Sequence, residues 1–570
     1  MQKIFVNGTI LTMSGQYPNP EAVLVENGKI AVVGTREEVA AKAGKRAKIV
    51  DLKGRTLMPG FVDAHGHFIS TALSKLYFVD VRCAPIGKIK TIEQLIAVMK
   101  GSVQMRKGKG MIVGFGYDDT LCSDERMLEA ADLDKISKER PVIVIHASFH
   151  VVMANTKAMQ LAGVDRADFT PEEGVVRRRN GVAIGVFEEV AAIRPLMELV
   201  YSDSMLADLP GKLCGICEEY LKQGVTTICE GANGNDRVSL IQKAMRRGRF
   251  PARYIVCPSL TSEGEVPKKI RGKHIINGPV KLLMDGSIQC YTAALSKPYA
   301  TTAPGHEGDK DYCGSTYMSV EALRGKLETI LSSSRSFAIH SNGDVALDKI
   351  IEALEGCENL ERNRYKRNLI IHCQVAREEQ LDKFKALNLY PSFFPAHLHV
   401  WGDRHYSTFL GEERAQRLDP VGSAVKRGLP FSLHNDSPVT ETKPMEAVWN
   451  AVTRRTKKGR ILGEEQRISV EEALKGVTLY AAFQYKAEDI LGSIEPGKMA
   501  DFIALDKNPL AVEPDELLNI QTQRVWVDGK IVWSAAGRTG RARKALVSKI
   551  CKFPDFFSAN CHRWLTQRPQ

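Results

Sequence analysis

No stretch of this 570-residue sequence stays apolar for long enough to cross a bilayer, so a membrane-spanning protein is not expected. The opening residues, Met1-Gln2-Lys3-Ile4-Phe5-Val6-Asn7-Gly8, lack the apolar core and small-residue cleavage site of a secretory leader and read as a short strand meeting a turn. Internal repeats and low-complexity tracts are missing too. Cysteine is present but scattered, with Cys229, Cys257 and Cys373 in or beside apolar strands, which suggests reduced, buried thiols in a cytoplasmic protein. The one CxxC, Cys214 to Cys217, has no second pair to complete a zinc site and lies in a helix-like stretch, where packing explains it. No Gly-x-Ser-x-Gly elbow occurs, which leaves Ser287 in Asp285-Gly286-Ser287 as a loop serine and at most a substrate contact.

Acidic residues are in deficit, 67 against 79 Lys and Arg, for a net charge of +12. Much of the surplus is local: Arg541 to Gln570 holds seven Lys and Arg and one acid, Asp555. The body mixes both signs, as in Glu464-Glu465-Gln466-Arg467, so neither nucleic acid nor a membrane is the expected partner; a small-molecule substrate is. The 541–570 tail also carries Phe553-Pro554-Asp555-Phe556-Phe557. It is read as docking on the body, joining subunits in a homodimer, or staying loose.

Short strands are present at both ends. Lys3–Val6, Ala22–Glu26, Ile30–Val33 and Lys48–Leu52 alternate with turns, and Asn27-Gly28 is a hairpin signal. Residues 500–505 and 524–532 repeat the pattern around Asp528-Gly529. Residues 1–57 and 490–540 are therefore expected to build one composite β-sandwich. Between them, strands alternate with helical stretches, the pattern of a parallel α/β barrel over residues 58–489. Eight strands are expected: Gly60–Ala64, Val225–Cys229, Ala252–Cys257, Val280–Met284, Phe337–Ile339, Leu369–Ile371, Leu389–Phe393 and Pro430–Leu433. Helices are expected over Glu321–Ser332 and Arg377–Leu387. The gap after the first strand is too long for one helix. Residues of about 72–210 are expected to form an insertion over the mouth, with strands at Met111–Gly114 and Pro141–Ile145 and turn-rich loops over Thr170–Gly185.

The strand ends hold a selected set of side chains. The first runs Met58-Pro59-Gly60-Phe61-Val62-Asp63-Ala64-His65-Gly66-His67, and two imidazoles at i, i+2 share one face of a strand and can hold a divalent metal. The fifth ends at His340, the sixth at His372, and the eighth runs into His434-Asn435-Asp436. In a parallel barrel all of these face one mouth.

This constellation resembles the amidohydrolase superfamily, and more narrowly its YtcJ-like branch, which includes N-substituted formamide deformylase. Further matching pieces are Lys281 through Leu295, Trp401-Gly402-Asp403-Arg404-His405, His434 through Val439, and Ser493-Ile494-Glu495-Pro496-Gly497-Lys498-Met499-Ala500-Asp501. The likeness covers residues 1 to about 535. It implies a (β/α)8 TIM-like barrel with a composite β-sandwich. It implies that His65, His67 and Asp436 hold one divalent metal, zinc or a similar ion, and that His340 and His372 hold a second. Lys281 would bridge them after carboxylation, since a bare ammonium has no lone pair; the alternative is a buried lysine paired with Asp285. The implied reaction is hydrolysis of a non-peptide C–N bond, in an amide or N-substituted formamide, with Asp436 as general base and then acid. A deaminase of an amidine-like ring stays open beside it, as does a binding protein on a retired barrel. His150, His397 and His399 are candidate substrate contacts. Glu189, His405, Tyr117 and Asp118 are weaker candidates, and Glu230 reads as a salt-bridge partner.

Overall fold

The computed structural model describes residues 1–105, 110–171, 174–233, 235–246 and 250–536; the 541–570 tail lies outside them. Its centre is a set of parallel strands: β1 (Phe61–Val62), β2 (Val225–Asn233), β3 (Arg253–Pro258), β4 (Val280–Leu283), β5 (Phe337–Ser341), β6 (Asn368–His372), β7 (Leu389–Phe393) and β8 (Ser432–Leu433). They fall into two sheets. One runs β3, β2, β1, with Ile275–Asn277 outside β3, and the other runs β4 to β8 in chain order. Ile275–Asn277 is a strand that the sequence reading did not separate, being three residues long and divided from β4 only by Gly278-Pro279. Beyond the strands, the backbone of Asp436 donates to the carbonyl of His65 at 3.3 Å and joins the β8 end to the β1 end.

Crossover helices clothe these strands. Val320–Ser332 precedes β5: Ser319 caps it by accepting from the Ala322 amide at 3.2 Å, and Leu323, Leu327, Ile330 and Leu331 make its buried face. Asp344–Glu355 links β5 to β6, and Glu378–Phe384, shorter than the expected 377–387, links β6 to β7. The result is a TIM-barrel-like α/β fold. No helix among the described residues is long and apolar enough to cross a membrane.

The chain between β1 and β2 forms a separate six-stranded sheet in the order Val175–Arg179, Val182–Glu188, Val151–Ala154, Val142–His146, Ile112–Tyr117 and Val79–Asp80. The loops expected over Thr170–Gly185 are instead largely a hairpin, turning at Asn180-Gly181. Arg177, Arg178 and Arg179 hid the outer strand because an edge strand need not alternate cleanly. The CxxC pair falls inside helix Asp203–Lys222, with Cys217 buried.

Two further sheets use the chain ends. One is Lys29–Gly34, Ala22–Glu26, Gln2–Val6 and Lys48–Asp51; the other is Thr9–Ile10, Thr56–Pro59, Phe502–Leu505, Thr522–Val527 and Lys530–Ser534. Phe5, Val23, Leu57, Phe502 and Trp526 share one apolar core across both. At the turn of the last hairpin, Asp528 (φ 50°) and Gly529 (φ 65°) both take left-handed backbone, as a tight two-residue turn requires. Arg253 fastens β3 to this region. Its guanidinium is buried and bonds Asp501 at 2.6 and 3.1 Å and Asp528 at 2.6 Å.

Removing one partner of a buried ion pair strands the other's charge. Arg253→Ala is expected to cost about 3–5 kcal/mol in chemical denaturation. A loss below about 1 kcal/mol would show that water replaces the guanidinium there.

Candidate metal centre

The His-x-His stretch follows β1 directly. His67 makes an isolated bridge with Glu230 of β2, and helix Phe68–Tyr77 starts behind it. Gly231 allows this approach, because a Cβ there would meet the His65 ring at 2.3 Å. Opposite, Asp436 lies three residues past β8. Nε2 of His67 and of His65 stand 3.4 and 3.6 Å from Asp436 Oδ1, and Nε2 of His372 stands 3.8 Å from Oδ2. Three histidines from the ends of β1 and β6 thus surround one carboxylate from the end of β8. His372 (φ 71°) and Asp436 (φ 51°) both hold left-handed backbone, which a side-chain-bearing residue adopts only at a cost of about 1–3 kcal/mol. Such strain concentrates where side-chain direction matters more than local comfort.

Lys281 and His340 lie beside this cluster. Lys281 Nζ lies 3.4 Å from His65 Nε2, and the lysine makes no ion pair within 4.0 Å among the described residues. Asp285, the alternative partner, is engaged elsewhere: it accepts from the backbone amides of Asn342, Gly343 and Ala294 at 3.0, 2.7 and 3.1 Å. His340 stands off the carboxylate. Its Nε2 contacts the Gly286 carbonyl at 3.0 Å and the Asn342 amide at 2.9 Å, and its ring centroid is 4.6 Å from that of His372.

Burial sets the protonation states. It drives His65, His340 and His372 well below the usual imidazole range, and Lys281 adds to this for His65 and His340. It also lowers the Lys281 ammonium to about 8, against the pull of Asp436. Burial works to raise Asp436, but the close approach of His67 Nε2 and the charge of Lys281 overcome it and hold the carboxyl at about 2. The centre therefore presents neutral imidazoles at His65, His340 and His372 and an ionised carboxylate at Asp436, the states in which these groups ligate a metal. The donor atoms fit one: those of His65, His67 and Asp436 lie within 4.8 Å of one another, and Asp436 Oδ1 is buried with no hydrogen bond. Mixed imidazole and carboxylate donors suit a borderline divalent ion.

The other candidates separate. His150 lines the same cavity as His340, His372 and Asp436; its Nδ1 lies 2.8 Å from Glu189 Oε2, and the Tyr317 hydroxyl donates to that same oxygen. His397 also lines the cavity, with Nδ1 3.4 Å from Asp419. His399 does not. It sits two residues on in helix Ala396–Arg404 and so points the opposite way, onto Trp449 and the Arg455 carbonyl at 3.0 Å. His405 is buried against Gln374 at 3.1 Å. Tyr117 turns away from the cavity, its hydroxyl donating to the Arg126 carbonyl at 2.6 Å. Glu230 is held by the Ile69 amide and the Tyr254 hydroxyl at 2.7 and 3.1 Å, with Arg237 farther off at 3.9 Å. The sequence reading gave no role to His434, which bonds His372 Nδ1 at 3.3 Å and Ser392 Oγ at 3.0 Å; its place one residue past β8 was the available signal. It also passed over Asn342 and His146, which line the cavity.

A family model described as the amidohydrolase family matches residues 48–533. The chain belongs to the amidohydrolase family. N-substituted formamide deformylase of Arthrobacter pascens is 25% identical over 544 residues, 94% of this chain and 98% of that protein. YtcJ of Bacillus subtilis is 25% identical over 555 residues, 94% and 99% of the two chains. Among solved structures, an uncharacterized metal-dependent hydrolase of Pyrococcus horikoshii OT3 superposes with a TM-score of 0.69 at 26% identity, covering 90% of this chain and 99% of that one. Family membership makes this amidohydrolase a hydrolase of carbon–nitrogen bonds.

The electrostatics give a prediction for the metal-free protein. Burial lowers His434 to about 3, so the unfolded chain takes up its proton near the ordinary imidazole value of about 6.5 while the native state does not. That contribution is present above pH 6.5 and is lost as pH falls. His434→Gln is expected to flatten the stability-against-pH curve by about 1.4 kcal/mol per unit between roughly pH 6 and pH 4. Parallel curves for wild type and variant in chelator would show that His434 is charged in the native state.

Proposed function

We propose that this amidohydrolase cleaves a non-peptide C–N bond in a small amide or N-substituted formamide, releasing an acid and an amine, with one or two zinc or similar divalent ions. The observation carrying this is the cluster of His65, His67 and His372 about the Asp436 carboxylate at one mouth. In this reading His65, His67 and Asp436 would hold one ion, His340 and His372 would hold a second, and Lys281 would serve both after carboxylation. The lowered Lys281 supports the last point, since only the neutral amine captures carbon dioxide. The strands β1 to β8 are taken as one closed barrel, and the two terminal sheets as a β-sandwich built from residues 1–57 and 490–540. The sheet between β1 and β2 is taken as an insertion that roofs the substrate. Buried, unpaired cysteines such as Cys229 and Cys373 support a reducing, cytoplasmic setting.

A divalent ion supplies Lewis acidity and a water of lowered pKa when bound. The protein's own part is proton traffic and positioning. Asp436 is ionised at neutral pH, so it takes the proton of the attacking water and returns it to the leaving nitrogen. Glu189 and Tyr317 fix the His150 ring, leaving its Nε2 for the substrate. His397 and Trp401 form the facing wall.

Metal analysis followed by a panel of N-substituted formamides, amides and cyclic amidines tests the proposal. The metal-loaded protein is expected to turn over a formamide or amide, and chelation to abolish this. Asp436→Asn is expected to lower kcat by about 10²–10⁴-fold, and His65→Ala to lose metal. Ammonia release from amidines alone would replace hydrolysis by deamination. A protein that takes up no divalent ion would sink both readings. Density for a carbamate at Lys281 decides the bridge.

A further inference from the structure

A second set of donors faces the cavity from the sheet between β1 and β2. Asp118 and Asp119 follow strand Ile112–Tyr117, and His146 ends the neighbouring strand Val142–His146, in register with Tyr117. One donor atom from each of Asp118, Asp119 and His146 lies within 4.8 Å of the other two, and all three residues are buried. His146 Nε2 is 3.4 Å from Asp119 and 4.0 Å from Asp118. A protonated imidazole bonded to a carboxylate closes to about 2.7–2.9 Å. Here neither contact is a hydrogen bond. His146 Nε2 and Asp119 Oδ1 are both buried without any hydrogen-bond partner, although His146 is only 1% exposed. A buried polar atom left so is costly and asks for an explanation.

The rest of each group is pinned from behind. His146 Nδ1 is fixed by Ser148, at 2.8 Å from the hydroxyl and 3.1 Å from the backbone amide. Both Asp118 oxygens are engaged: Oδ1 accepts from the Thr120 amide at 2.9 Å and its hydroxyl at 2.5 Å, and Oδ2 from Trp401 Nε1 at 2.8 Å. These outer contacts hold the ring and the carboxylate in place, and the atoms left free beside them are His146 Nε2 and Asp119 Oδ1, 3.4 Å apart. Outer partners do the same for metal ligands in general.

We propose that Asp118, Asp119 and His146 bind one divalent ion of the borderline class, such as Zn²⁺, Co²⁺ or Mn²⁺, in a site separate from the one around Asp436. One imidazole and two carboxylates match that class. Asp118 and His146 line the cavity that His340, His372 and Asp436 also line. A coordination position not filled by protein therefore opens towards the substrate, and a carboxylate or carbonyl oxygen is the group it takes.

Cobalt(II) is the probe, because it reports both stoichiometry and coordination by its visible absorption. Full-length wild type is expected to bind one equivalent more than Asp119→Asn or His146→Gln. The His65→Asn/Asp436→Asn variant is expected to keep that equivalent and its absorption bands. Cobalt-edge anomalous diffraction from wild-type crystals is expected to place a peak among the three donor atoms. Unchanged cobalt content in both Asp119→Asn and His146→Gln overturns the proposal, as does a peak beside Asp436 with none at this trio. In either case the three residues form an ion pair only. If the variants fail to fold, the wild-type diffraction decides alone. None of these readouts depends on catalysis, so their failure leaves the hydrolase reading untouched.

Discussion

A carboxylate taken out of water destabilises a fold by several kcal/mol unless its surroundings restore what water gave. Asp436 is such a group, and much of the architecture answers to it. Three imidazoles approach it from the ends of strands far apart in sequence, and a lysine stands behind them. Burial alone would neutralise the aspartate, yet His67 keeps it ionised. The same burial keeps His65 and His372 neutral. Opposite effects of one dry environment thus leave donors of the right charge side by side.

Holding those directions has a local cost. His372, Asp436 and Glu189 all take left-handed backbone without being glycine. Each is fastened by its neighbours: Asp436 through the His65 carbonyl, Glu189 through the His150 carbonyl at 2.7 Å, His372 through its place at the end of β6. Strain persists where such contacts over-determine the chain. The rigid β-strands therefore supply position, and the strained residue just beyond each supplies aim.

Much of the fold was legible in the sequence because parallel strands buried on both faces read as short apolar runs. The runs around Ile228, Ile255, Ile339 and Ile371 stand out in this way. The hairpin at Asn180-Gly181 did not, because an exposed edge strand carries arginines and loses the pattern. For the site, position at or just past a strand's C-terminal end singled out His65, His67, His340, His372 and Asp436. Position could not show which way a helical residue faces, so His397 and His399 looked alike although only one reaches the cavity. Nor could it reveal His146 and Asp119, whose convergence depends on strand register within the added sheet.

The strand Thr56–Pro59 pairs with Phe502–Leu505, and the Gly60 amide donates to the Asp501 carbonyl at 3.0 Å, five residues before His65. The segment that carries the first two histidines is thus anchored by residues more than 400 positions later in the chain. On the ribosome His65 and His67 emerge well before Asp436 and before the strand Phe502–Leu505 that anchors their segment. Pairing across so many residues is slow to form and leaves strand edges open meanwhile. The centre is therefore assembled late, and a chain cut short before Phe502 lacks the clamp on its first metal-facing segment even with every donor residue present.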